Sequence, residues 1–212
     1  MIAGKHKGAG MLLYPAQVAE VLAPIAEYPE IQFSLKMRLG WENASECMVL
    51  VELLNTLRLS RIALHARTGK QQYKGHPDLE AFQGFYELCQ HPLYYNGGIE
   101  SLSDIRQILT RFPLLKGVFI GRGLLSSPLL AKEFKGNETF LPEQRMSIYF
   151  AFHEELFSAY SQVLQGETQL LVKMKTLWEY FLPETDRKLL KRIKKSTRLQ
   201  QYTESVKAIF TS

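Results

Sequence analysis

Four short apolar runs, at residues 32–37, 61–65, 93–95 and 117–120, alternate with helical patterns near 15–27, 44–57, 79–89 and 101–110. This alternation constrains the fold more than any other feature of the chain. Each run is short and rich in β-formers or aromatics, as buried parallel strands are. Strands separated by helices of that length imply βα units around a parallel sheet. Asn43 and Ser101 read as helix N-caps, and Ser101 with Asp104 reads as a capping box. After Phe134 the rhythm changes. Gly136-Asn137-Glu138-Thr139 reads as a linker. Beyond it Tyr149, Phe152, Leu156, Tyr160 and Val163 recur at helical spacing, as do Leu170, Met174, Leu177, Trp178 and Phe181. A helix beginning at Pro183 and a last one over 203–210 complete four amphipathic helices, which suggests a small bundle. The expected organisation is therefore an α/β domain over 1–134 and an all-α domain over 135–212.

Charge separates the two regions. Nine Lys or Arg lie between Lys173 and Arg198 against Glu179, Glu184 and Asp186, so that segment carries +6 of the chain's net +5. The remainder sums to about −1 by subtraction. A basic patch at one end is the electrostatic footprint of a polyanion-binding module, and a solvated helix face is the alternative. The two cysteines, Cys47 and Cys89, fit a reducing cytoplasmic setting rather than a disulfide framework. No C-x-x-C or H-x-x-x-H spacing suggests a metal. No apolar run approaches the roughly 20 residues that cross a bilayer. The start, Met1-Ile2-Ala3-Gly4-Lys5-His6-Lys7, has no apolar signal-peptide core. The expectations are accordingly no metal, no membrane and a cytoplasmic location.

Functional side chains cluster at the strand ends. The first run contains Lys36 and leads into Arg38-Leu39-Gly40; the second ends His65-Ala66-Arg67-Thr68. The third runs into Asn96-Gly97-Gly98-Ile99 and the fourth into Gly121-Arg122-Gly123. In a βα-barrel the C-terminal strand ends form the active-site rim, so four in succession read as one site. The two glycine turns can bring backbone N–H groups close to a ligand, Arg122 adds a cationic fork, and 124–128 fits a short helix whose N-terminus favours an anion. A pair of tight structural turns is the other reading.

The ordered segments K-M-R-L-G-W (36–41), H-A-R-T-G-K-Q-Q-Y-K-G (65–75), Y-N-G-G-I (95–99) and G-R-G-L-L-S-S-P (121–128) resemble the tRNA-dihydrouridine synthase family along essentially the whole chain. That resemblance implies the C-terminal half of a (β/α)8 TIM barrel that binds flavin mononucleotide (FMN), followed by a helical tRNA-binding domain. The implied activity is reduction of uridine to 5,6-dihydrouridine in tRNA with NADPH. It implies that Lys36 and His65 lie against the flavin ring, that Asn96 holds the ribityl chain or ring edge, and that Gly97, Gly98, Gly121 and Arg122 bind the phosphate. Arg67, Gln71 and Tyr73 would face the nucleotide or order the adjoining loop. Lys173, Lys175, Lys191, Lys194, Lys195 and Arg198 would contact tRNA.

The chain departs from the family pattern at the proton donor, a cysteine in N-x-G-C-P. No such motif is present, Gly8-Ala9-Gly10-Met11-Leu12-Leu13 resembles the segment after it, and neither Cys47 nor Cys89 matches. Both are expected to be buried thiols. Gly98 stands where relatives often carry an acid. Four strands instead of eight would expose sheet edges and an apolar interior, so the expectation is a chain inactive alone, with the missing half as a partner if encoded separately. A non-catalytic tRNA-binding remnant and another FMN barrel oxidoreductase acting on a small molecule remain alternatives.

Overall fold

A computed structural model describes residues 6–211, and the chain divides into two compact units, Met1–Gly121 and Arg122–Ser212. In the first unit β1 (Phe33–Gly40), β2 (Leu59–Thr68), β3 (Leu93–Asn96) and β4 (Gly117–Phe119) pair in sequence order, all parallel. Helix α1 (Pro15–Leu22) precedes β1, and α2 (Val51–Thr56), α3 (Leu79–Leu88) and α4 (Leu102–Arg111) connect successive strands. The unit is thus an α/β fold built on one four-stranded parallel sheet.

Side chains alternate across a strand, and residues in register share a face. Met37, Leu64, Tyr95 and Val118 stand in one cross-sheet row. The first three are buried, and Tyr95 meets Phe82 of α3 edge-on at 4.9 Å between ring centroids. Phe82 also meets Phe112, just beyond α4, at 5.0 Å. These contacts fix the apolar face as the helix-covered one, each large buried side chain contributing about 1.5–3 kcal/mol.

The first two strands run on past the ends that the sequence suggests, while β4 stops at Phe119, one residue short of the expected 120. β1 continues past residue 37 to Gly40 and β2 past residue 65 to Thr68, with Arg38 paired to His65 and Gly40 to Thr68. Arg38 and Arg67 look like strand-ending residues because a doubly buried strand is expected to be apolar throughout. Here only one face is apolar: Leu39, Leu64 and Ala66 stay buried against the helices while alternate positions are polar. The helix expected over 15–27 is α1 followed by a 3-10 turn at Ala23–Glu27, because Pro24 has no N–H to continue the ladder. Likewise 44–57 is a 3-10 turn, Glu46–Leu50, before α2. Asn43 does not cap it. The Glu46 carboxylate instead accepts from the backbone N–H groups of Trp41, Glu42 and Asn43 at 2.6, 3.1 and 2.8 Å. Ser101 and Asp104 do form the expected capping box at the start of α4.

The second unit holds α5 (Arg122–Ser126), α6 (Leu130–Gly136), α7 (Pro142–Val163), α8 (Glu167–Leu177), α9 (Arg187–Lys195) and α10 (Leu199–Phe210). It begins earlier than the change of rhythm after residue 134. Leu129 lies in the same apolar cluster as Tyr149, Leu170, Met174, Trp178 and Phe181. Ser127 Oγ bonds Tyr149 OH at 2.8 Å, and buried Glu133 pairs with Arg145 of α7. Those links tie 127–133 to the helices. Pro183 does not begin α9, which starts at Arg187 where the Asp186 carboxylate accepts from the N–H groups of Lys188 and Leu189.

One hydroxyl organises the core of this unit. Tyr202 OH accepts from Trp178 Nε1–H at 2.9 Å and lies 2.6 Å from His153 Nε2, all three side chains being buried. Glu154 Oε1 lies 3.1 Å from His153 Nδ1 and can only accept, so in the neutral ring the proton sits on Nδ1 and Tyr202 OH donates to Nε2. Burial holds the His153 pKa below its ordinary 6.5, against the opposing pull of Glu154. Among the described residues no helix is long and apolar enough to cross a membrane, and no group of three or more His, Cys, Asp or Glu could hold a metal ion.

Two outcomes follow from this arrangement. Because the folded chain binds the His153 proton less readily than the unfolded chain, this contribution to stability is complete above about pH 6.5 and is lost as pH falls below it. An NMR titration of the folded protein should place His153 below 6.5, and a value at or above 6.5 contradicts the buried neutral assignment. Tyr202→Phe leaves Trp178 and His153 without their shared partner and should cost about 1–3 kcal/mol in denaturant unfolding.

Candidate functional site

Opposite the helix-covered face, the same register builds a polar surface. Arg38, His65, Asn96 and Phe119 form one cross-sheet row, and Lys36, Ala63, Tyr94 and Gly117 form the next. Three of the expected site residues, Lys36, His65 and Asn96, are thereby brought to one face. His65 is buried within β2 rather than placed at its end. Asn96 donates through Nδ2 to the carbonyl of Phe119 at 2.8 Å, tying β3 to β4.

This face is cationic. Burial, and secondarily the Arg38 charge, lower the Lys36 pKa. The Arg38 pKa is also lowered, chiefly by burial. Among the described residues, none of Lys36, Arg38 and Arg67 forms an ion pair with a carboxylate. Like charges held together without a protein counter-charge suit an anionic or electron-rich ligand.

The residues after β2 form a loop clamped by side chains. Arg67 is 4% exposed and donates to the carbonyls of Lys74 and Gly75 at 2.7 and 2.8 Å. Arg38 donates to Thr68 O at 2.6 Å and to Gln72 O at 3.3 Å. Gln71 donates to the carbonyls of Lys74 and His76 and accepts from Thr68 N–H. So Arg67 and Gln71 order the loop, and Arg38 acts with them. The sequence alone assigns Arg38 no role. Its signal was the two-residue spacing from Lys36, which places both on one strand face. The loop presents Tyr73, which is 59% exposed, with its ring 6.5 Å from His65 and 6.0 Å from the Arg38 guanidinium.

The glycines differ in what they require. Gly97 and Gly98 have φ of +140° and +60°. A Cβ on Gly98 would also lie 3.0 Å from Pro77 Cγ. Gly121 has no positive φ, and a Cβ there would meet nothing within 4 Å. Neither backbone nor neighbours require glycine at 121, so close approach of a ligand to its backbone is the remaining physical use. Arg122, the next residue, opens α5 and is half-buried.

The thiols are chemically quiet. Cys47 is fully buried, donates to Ala44 O, and has its pKa pushed up to about 12 by burial. Cys89 is only half-buried, contrary to expectation, because it sits at the exposed C-terminal end of α3; its pKa is also raised by burial.

In the second unit the expected tRNA-contacting cations divide. Lys175 donates to Ser196 O at 2.5 Å and so holds the turn between α9 and α10. Lys173 lies 5.3 Å from the Tyr160 ring centroid. Lys191 and Lys195 line a groove together with Lys188 and Arg192, which the sequence reading had counted only in the net charge, whereas Lys194 and Arg198 do not line it.

A family model described as dihydrouridine synthase (Dus) matches residues 1–211. Over 135 residues the chain is 34% identical to a probable tRNA-dihydrouridine synthase of Aquifex aeolicus, covering 62% of this chain and 42% of that protein. It is 30% identical over 137 residues to the tRNA-dihydrouridine(16) synthase of Haemophilus ducreyi, covering 63% and 42% respectively. Against tRNA-dihydrouridine synthase B of Vibrio vulnificus the identity is 25% over 143 residues, covering 66% and 44%. The chain spans less than half the length of each of these relatives.

The glycine geometry gives a direct test. Gly98→Ala forces a side chain into the left-handed region and should cost about 1–2 kcal/mol of stability. Gly121→Ala should leave denaturant unfolding unchanged. Equal destabilisation by both substitutions would remove the distinction between a strained turn and an open one.

Proposed function

Since this chain belongs to the dihydrouridine synthase family, we propose that it takes part in reducing uridine to 5,6-dihydrouridine in tRNA, as an FMN-dependent oxidoreductase with NADPH as reductant. The observation that carries this reading is the sheet face that sets the cations Lys36 and Arg38 beside His65 and Asn96. The glycine at 121, which neither conformation nor packing demands, supports a bound phosphate at that turn. The residues present therefore fit FMN.

Saturating the uracil C5–C6 bond adds one hydride, drawn from NADPH, and one proton, which a protein acid would supply to the neighbouring carbon. FMN, when bound, supplies the carrier chemistry that passes the hydride from NADPH to the uracil ring. Lys36 and His65 hold positive or hydrogen-bonding character where electron density accumulates, which is the tuning a protein contributes to a flavin. Asn96 orients the same cofactor, while Gly97, Gly98, Gly121 and Arg122 bind its phosphate. Arg38, Arg67 and Gln71 keep the 68–76 loop ordered, so that Tyr73 meets the incoming nucleotide. A uridine inside folded tRNA must leave its stack to reach such a face, at a cost of a few kcal/mol. Phosphate contacts by the basic helices offset that cost, which makes binding sensitive to salt.

A second reading, tRNA binding without chemistry, is favoured by the two thiols. Cys47 is fully buried in the 46–50 turn and Cys89 ends α3, so neither stands on the strand face of Lys36, His65 and Asn96 where the family's donor cysteine would be needed.

The protein should bind both FMN and unmodified tRNA transcript, read by flavin fluorescence and by gel retardation, and any dihydrouridine formed with NADPH is read by mass spectrometry as a gain of two hydrogens. Binding of tRNA without binding of FMN selects the second reading. FMN fluorescence titration should show binding that Gly121→Ala weakens by roughly tenfold, about 1.4 kcal/mol. Equal FMN affinity in both proteins would remove the phosphate assignment.

A further inference from the structure

Helix α9 reads Arg187-Lys188-Leu189-Leu190-Lys191-Arg192-Ile193-Lys194-Lys195, and only Ile193 among these is buried. Lys188, Lys191, Arg192 and Lys195 fall at i, i+3, i+4 and i+7, which is one face of a helix. That face forms a wall of an open groove of about 490 Å³, and Gln201 and Glu204 of α10 also line it. Among the described residues none of the four cations makes a salt bridge. Lys175 fixes the groove by its bond to Ser196 O at the turn between the two helices.

A groove that bound phosphate alone would gain nothing from a carboxylate, yet Glu204 lies in this one. Its Oε1 accepts from Gln200 Nε2 at 3.0 Å, leaving its other oxygen as an acceptor. Gln201 spends its carbonyl oxygen on Thr197 N–H and Oγ1, so it has an amide donor to offer. A donor and an acceptor set among cations match the ribose 2′-hydroxyl, which both donates and accepts and is the group that distinguishes RNA from DNA.

We propose that the α9–α10 groove reads the RNA sugar–phosphate backbone, with Lys188, Lys191, Arg192 and Lys195 on phosphates and Glu204 and Gln201 on a 2′-hydroxyl. The inference rests on the tRNA reading above and adds to it a chemical basis for preferring RNA. Glu204 repels any phosphate chain, so its presence lowers affinity for both nucleic acids, and it recovers that loss only where a 2′-hydroxyl is present to donate to it.

The experiment measures binding of the full chain to a tRNA transcript, and to one hairpin sequence made as RNA and as DNA, across a salt series, with folding of each variant checked by circular dichroism. Lys191→Gln should weaken both hairpins and lower the salt slope by about 1, as loss of one phosphate contact does. Lys194→Gln removes the same charge from the same helix outside the groove and should act less. Glu204→Ala should reduce the RNA-over-DNA ratio by roughly three- to tenfold, the worth of one hydrogen bond. Glu204→Gln, which loses the charge but keeps an acceptor, should retain the ratio. An unchanged ratio in Glu204→Ala, or equal effects of Lys191→Gln and Lys194→Gln, overturns the groove assignment while leaving tRNA binding in place. Failure of the wild-type chain to bind tRNA at low salt overturns the underlying reading as well.

Discussion

The parallel register that aligns Arg38 with His65, and His65 with Asn96, is the constraint on which the first unit depends. Strands in a sheet lie about 4.8 Å apart, so residues in register project their side chains to the same side at that spacing. One face then has to satisfy the helices and receives Met37, Leu64 and Tyr95. The other face is left to groups that the helices could not bury, and it collects the cations. A slip of one residue would exchange the two sets, exposing the apolar row and burying the charged one.

That register also accounts for the loop after β2. Because β1 and β2 run on together to Gly40 and Thr68, Arg38 is carried to within reach of the Thr68 and Gln72 carbonyls. Arg67, one turn of the pleat beyond His65, reaches the carbonyls of Lys74 and Gly75. These bonds to backbone carbonyls use only some of the five N–H groups that a guanidinium has. Their contribution is to hold Tyr73 beside His65, and that links strand pairing to the geometry of the functional face.

The helical unit divides its labour differently. A buried hydroxyl shared by Trp178 and His153 joins α10 to α7 and to the end of α8, so the interior is specified by hydrogen bonds as well as by apolar packing. Helix α9 gives Ile193 to that interior, packs Leu189 and Leu190 against it, and presents its cations outward, where none of Lys188, Lys191, Arg192 and Lys195 forms a salt bridge among the described residues.

Local chemistry determined much of this protein. Apolar runs located the four described strands, and Ser101 and Asp104 announced the start of α4. The 3.6-residue spacing marked α3 and α7, whereas α8 ends at Leu177 and α9 and α10 begin at Arg187 and Leu199 rather than at 183 and 203. The concentration of cations in 173–198 was equally plain, since charge is a property of composition. Tertiary structure alone decided which face each polar residue joins. The extension of β1 and β2 through arginines depends on a partner strand 27 residues away in register, and no local preference encodes it. For the same reason the bond from Lys175 to the Ser196 carbonyl, 21 residues on, is invisible in the sequence. Lys188 and Arg192 gained significance only when α10 supplied the second wall of their groove. Residue type and spacing are local properties, whereas partners and shared surfaces arise from long-range packing.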